Sequence, residues 1–121
     1  MEGARETGNH YEGVAARYLQ SKGVTIIERN FYIRGGEIDL VGIEDGVLVF
    51  FEVRFRANNS LVDPLSSITP TKQRRLLRTA AFYLHRYGQW DTLTRIDVIG
   101  ISPGNASRYR VQWLKNAIQA D

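Results

Sequence analysis

The chain has 121 residues, 43% of them hydrophobic and 24% charged, enough for one domain with a real core and too few for a second of ordinary size. It has no cysteine, which excludes a disulfide framework and a thiolate metal site, so any metal would take oxygen ligands. A net charge of +3 is too mild by itself to imply nucleic acid, no apolar run reaches the roughly 18 residues of a membrane span, and the opening MEGARETGN is no basic-then-apolar leader. The expectation is a single domain over 1–121, with its core over about 8–115, in the cytoplasm.

In chain order, NHYEGVAARYLQSK over 9–22 sets Tyr11, Val14, Ala15, Tyr18 and Leu19 on one helical stripe. Asn9 suits the N-cap, Glu12 sits three residues on as in a capping box, and Gly23 suits the C-terminal stop. VTIIERNFYI (24–33) is rich in β-formers, Gly35-Gly36 is a turn, EIDLVGIE (37–44) is a second strand, and Asp45-Gly46 is a strong hairpin signal. VLVFFEVRFR (47–56) follows, its first half continuously apolar as in a central strand covered on both faces.

Residues 57–68 read as a polar surface loop. Thr69-Pro70 then opens a helix running to about Tyr87, with an apolar stripe of Leu76, Leu77, Ala80, Ala81 and Leu84. TRIDVIGIS (94–102) is a fourth strand, PGNAS a turn, and RYRVQWL (108–114) a fifth, giving the order α-β-β-β-α-β-β. Charge follows this division. No acid lies between Asp63 and Asp91, where Lys72, Arg74, Arg75, Arg78 and Arg86 fall. Lys22, Lys72 and Lys115 are the only lysines, so most positive charge is guanidinium, the better fork for phosphate. A solvated helix face is the alternative reading of that run.

The chemistry concentrates in GGEIDLVGIEDGVLVFFEVRFR, residues 35–56. A two-residue Asp45-Gly46 turn sets Glu44 opposite Val47, so Asp39 faces Glu52 and Glu37 faces Arg54. Period two then gathers all four side chains, with Glu37 and Arg54 as an ion pair. Two carboxylates among Leu40, Val41, Phe50 and Phe51 repel unless one is protonated, an arginine intervenes or a divalent cation binds both. Magnesium or manganese, hard cations that keep waters and accept substrate phosphate, suit such a pair. Glu12 is either a capping residue or a third acid reaching the metal through water. His10 and His85 lack ligand spacing, Asp97 beside Arg95 reads as a strand-pairing residue, and Trp90 and Trp113 read as core or edge packing ahead of base stacking.

GEIDL, then FFEVRFR after one turn, with Glu12 on the preceding helix, Arg29-Asn30 before the hairpin, and TKQRRLLRTAAFYL and RIDVIGI after it, resembles the YraN family of small bacterial proteins over residues 8–115. That family is assigned to the restriction-endonuclease-like, or PD-(D/E)xK nuclease, superfamily, which includes archaeal Holliday-junction resolvases. The resemblance implies an α/β restriction-endonuclease-like core, a mixed central sheet flanked by helices. It implies Asp39 and Glu52 as metal-binding acids, the Val53 carbonyl as a further ligand, and Glu12 acting through water. Arg54 stands where the superfamily has its lysine. Arginine stays protonated, so it can hold a phosphate oxygen but cannot serve as general base. Lys72 and Gln73 either supply the missing polar group or are ordinary first-turn residues.

Three functions follow. The first is a magnesium- or manganese-dependent endonuclease acting on branched or structured DNA, with Asp39, Glu52, Arg54 and Glu12 catalytic, and Arg56, Lys72, Gln73, Arg74, Arg75 and Arg78 tracking the backbone. A homodimer would serve symmetric cutting. The alternatives are a non-catalytic nucleic-acid-binding or adaptor protein on the same scaffold, and an interaction module whose basic helix docks an acidic protein.

Overall fold

The computed structural model describes residues 2–57, 63–106 and 108–120, with backbone alone over 2–8. Its elements are α1 (Glu2–Ser21), β1 (Thr25–Ile33), β2 (Gly36–Glu44), β3 (Val47–Phe55), a 3-10 turn (Pro64–Ser67), α2 (Pro70–Arg86), β4 (Thr94–Pro103) and β5 (Tyr109–Ile118). The five strands form one mixed sheet in the order β1-β2-β3-β4-β5, antiparallel except for the parallel β3–β4 pair that α2 bridges. The fold is therefore mixed α/β, with two helices.

Each helix buries its apolar face on one side of the sheet. Ala15, Ala16 and Leu19 of α1 pack with Leu40, Val49, Phe51, Ile99 and Ile101. Leu76, Ala80 and Tyr83 of α2 pack with Ile38, Val41, Phe50, Ile96 and Val98. The consecutive apolar run of β3 is thus explained by cover on both faces. On α2 the buried set includes Thr79 and Tyr83, while Ala81 is exposed. The expected stripe is turned slightly around the helix because the large Tyr83 ring, edge-on to Phe31 and Phe50, fills the space that Ala81 cannot.

The ends of the elements follow local chemistry, with one correction. Gly23 has φ of +95°, its amide bonds the Gln20 carbonyl, and the Val24 amide reaches back to Leu19, a Schellman stop. Thr69 Oγ1 accepts from the Lys72 amide at 3.1 Å, capping α2 ahead of Pro70. Helix α1, however, begins well before Asn9, so neither Asn9 nor Glu12 caps it. Once turns on both sides are hydrogen-bonded, the low propensity of Asn and Gly is too weak a penalty to end a helix. The Glu12 carboxylate is left for another role.

Residues 58–62 of the expected polar loop, and Ser107 of the PGNAS turn, lie outside the described residues. The described end of the loop holds the 3-10 turn, which sequence patterning missed. Its Pro64 lies so close over Gly100 of β4 that an added Cβ there would collide with the proline ring. Strand β5 runs four residues beyond its expected end at Leu114, through a bulge opposite Ile96 and Val98. No helix among the described residues is long and apolar enough to cross a membrane.

Candidate metal centre

Asp45 and Gly46 both have positive φ, +50° and +80°, the geometry of a two-residue type I′ hairpin turn. The β2–β3 register runs from Glu44 opposite Val47 to Leu40 opposite Phe51. There the ladder ends. Asp39 and Glu52 are the next residues on each strand, and the strands fork at them. The Val53 amide donates to Asp39 Oδ2 at 2.8 Å, so the carboxylate takes the place of a ladder carbonyl.

The partner strand is irregular at the same level. Between Arg29 opposite Leu40 and Phe31 opposite Ile38, the pairing skips Asn30 and Asp39, and Asn30 has φ of +55°. Alternation slips there, so Ile38 and Val41, three residues apart, share the α2-side core. The expected Glu37–Arg54 ion pair does not form, the β2–β3 pairing having ended at Leu40 and Phe51. Arg54 instead donates through Nε to Ser67 Oγ and through Nη2 to the Ser67 carbonyl, both at 3.2 Å. Glu37 is exposed and lines a groove against α2.

Asp39 is 8% exposed and Glu52 5%. Burial first, and the adjacent Asp39 charge second, push the Glu52 carboxyl up to about 9. Glu12, on the α1 side, is raised to about 7 by burial and by the Asp39 charge, with the Asn30 side chain partly offsetting. From the α2 side, Lys72 Nζ lies 3.7 Å from Glu52 Oε2. Glu12, Asp39, Glu52 and Lys72 thus meet at the fork, reached from both faces of the sheet.

Other candidates separate from this group. Gln73 Nε2 donates to the Ile68 carbonyl at 3.0 Å, locking the chain into α2, and is not directed at the acids. Arg75 and Arg78 line the groove that Lys72 also lines, whereas Arg74 is exposed and donates to Thr71 Oγ1. Arg56 follows β3, its amide bonded to the Ile101 carbonyl. His10 Nε2 pairs with the Tyr109 hydroxyl, and His85 Nδ1 with the Trp90 indole. Asp97, with no exposed surface, is a structural acid. It accepts from Arg95 Nε at 3.0 Å, Trp113 Nε1 at 2.8 Å and the Asn116 amide at 2.8 Å, holding the β5 bulge. Ser67 and Asn30 are site residues that patterning missed; the one available signal was the tolerance of asparagine for left-handed backbone.

Among the described residues no three His, Asp or Glu side chains are already gathered as a cage. What exists is a buried carboxylate pair with a third acid nearby, Glu52 and Glu12 held above their ordinary range by burial first and by the Asp39 charge second. A magnesium-type ion takes one or two carboxylates and keeps its waters, so this pair fits it.

Fold and site together define a small mixed α/β protein with a buried acid pair at a strand fork. The chain belongs to the uncharacterised protein family UPF0102, whose pattern matches residues 11–101. It is 68% identical over 120 residues to a UPF0102 protein of Marinobacter nauticus, covering 99% of this chain and 98% of that protein. A UPF0102 protein of Coxiella burnetii is 40% identical over 118 residues, covering 97% and 95%. One from Vibrio vulnificus is 38% identical over 116 residues, covering 94% and 93%.

Proposed function

We propose that this protein is a divalent-metal-dependent nuclease that hydrolyses phosphodiesters in branched or otherwise structured DNA. The observation that carries the reading is the Asp39–Glu52 pair, buried at the β2–β3 fork with Lys72 at 3.7 Å and a basic groove beside it. The YraN-like motifs and the α-β-β-β-α-β-β order support a restriction-endonuclease-like core as the scaffold.

Asp39 and Glu52 would hold magnesium or manganese, with the Val53 carbonyl as a further oxygen. When bound, such an ion neutralises the scissile phosphate and acidifies a water. Glu12 orders water at the same site. Lys72, arriving from α2, supplies the ammonium that the strand lacks at Arg54, where it can orient the attacking water or stabilise charge on phosphorus. Arg54, anchored by Ser67, adds fixed positive charge near Glu52.

Cleavage of labelled junction and flap DNA in manganese or magnesium tests the reading. Wild type cuts, Asp39→Asn does not, and calorimetric titration shows manganese binding lost in Glu52→Gln. If wild type and Glu52→Gln bind alike, or neither binds, the metal reading fails. Arginine at position 54, where the superfamily has its lysine, favours the second reading, a non-catalytic nucleic-acid-binding protein on a nuclease scaffold. That protein would bind the same DNA and cut none of it.

A further inference from the structure

A groove of about 590 Å³ starts at Lys72 and runs between the β1–β2 turn and α2 past Arg75 and Arg78. A second, of about 630 Å³, shares Tyr32 and Arg78 with it and continues past Phe82 and Arg86 to Trp90. On α2, Lys72, Arg75, Arg78, Phe82 and Arg86 follow each other at three- and four-residue steps, one stripe of the helix about 21 Å long. Gly36 brings the opposite wall close: an added Cβ there would fall on Thr79 Oγ1.

The aromatic rings in this track are open to solvent. Tyr32 is 56% exposed, Phe82 47% and Trp90 58%, contrary to the packing role expected for Trp90. Trp90 is nonetheless held in place, its ring edge-on to His85 at 5.9 Å and its indole NH bonded to that imidazole at 3.4 Å. Single exposed aromatics are ordinary, but three of them along one channel with five cations, Arg34, Lys72, Arg75, Arg78 and Arg86, are not explained by packing. Glu37, at the end nearest the acids, is the one acid among the residues lining either groove.

We infer that this track binds a single-stranded arm of the nucleic-acid substrate, roughly four nucleotides long, with bases stacked on Phe82 and Trp90 and phosphates on Arg75, Arg78 and Arg86. A duplex keeps its bases stacked on each other and would leave the rings idle, whereas an unpaired strand offers both a face to stack and a phosphate to pair. The inference rests on the nuclease reading for what happens beyond Lys72. It names the substrate feature that reading lacks, an unpaired strand leading into the acid pair.

The test is binding of a fluorescent oligothymidylate and of a hairpin duplex in chelator, followed by anisotropy and by tryptophan emission. The single strand should bind more tightly and quench emission. Trp90→Phe should abolish most of the quench and keep affinity, while Phe82→Ala and Trp90→Ala should weaken single-strand binding by about tenfold or more without shifting the melting temperature. Equal binding of duplex without quenching, unchanged affinity in both alanine variants, or binding of an acidic peptide but of no oligonucleotide would each overturn it. Manganese-dependent cleavage is scored separately. Single-strand binding without cleavage removes the nuclease reading and leaves the track, and cleavage without single-strand binding does the reverse.

Discussion

At the scale of single residues, Lys72 and Glu52 carry the most consequence. Removing the Lys72 ammonium should lower metal-dependent cleavage by about 100-fold or more, as for loss of a group aimed at transition-state charge, with a melting temperature near wild type because a partly exposed ion pair stabilises little. Rate assays on Lys72→Met beside thermal melts check both halves. Glu52 sets a pH dependence. Its carboxyl is raised from 4.5 to about 9, and that of Glu12 from 4.5 to about 7, so the folded chain holds protons that the unfolded chain has released. Their favourable contribution is complete below about pH 4.5 and is lost as pH climbs toward those folded-state values. In chelator, wild type should therefore weaken relative to Glu52→Gln as pH rises from about 5 to 8, with the gap closing in acid. Urea midpoints across that range measure it, and manganese should restore only the wild type.

At the scale of elements, the β-ladders place two similar acids in different surroundings. Asp97 sits at the bulge within the β4–β5 pairing, which resumes on both sides of it, with its oxygens engaged by Arg95, Trp113 and Asn116, whereas Asp39 stands where the β2–β3 ladder has ended. Asp97→Ala would leave the Trp113 indole NH and the Asn116 amide without their acceptor and Arg95 held by Glu44 alone, a loss of about 2–4 kcal/mol visible in chemical denaturation. In whatever fraction folds, manganese affinity should be unchanged, because Asp97 is outside the acid pair. The hairpin register was legible beforehand because an Asp-Gly pair in a two-residue loop admits one turn family with the correct twist. The fork was not. It depends on a left-handed Asn30 on the neighbouring strand and on the Val53 amide turning to a side chain, neither of which strand periodicity encodes.

At the scale of the whole molecule, a net charge of +3 hides a strongly one-sided distribution, since α2 and its flanks from Pro64 to Trp90 contain no acid. Long-range attraction for DNA is modest, and affinity should come from the few cations in the track. Replacing Arg75 and Arg78 together by glutamine should cut the slope of log K against log salt by about 1.4–1.8, two phosphate contacts' worth, with little dependence on base sequence. Binding isotherms over a salt series decide this. An unchanged slope would place the phosphates elsewhere. The sequence by itself determined the order of the elements, the caps at Gly23 and Thr69, the hairpin register and the acid pair, because each is written in residues near one another in the chain. Only the tertiary structure decided what those acids meet. Glu12, which the sequence left between a cap and a third acid, is delivered to Asp39 because α1 packs along one face of the sheet. Lys72, which the sequence left between the missing polar group and an ordinary first-turn residue, reaches Glu52 because α2 packs on the other face of the sheet, while Arg54 is taken by Ser67. Contacts between residues distant in sequence depend on how the layers stack, and no local periodicity carries that information.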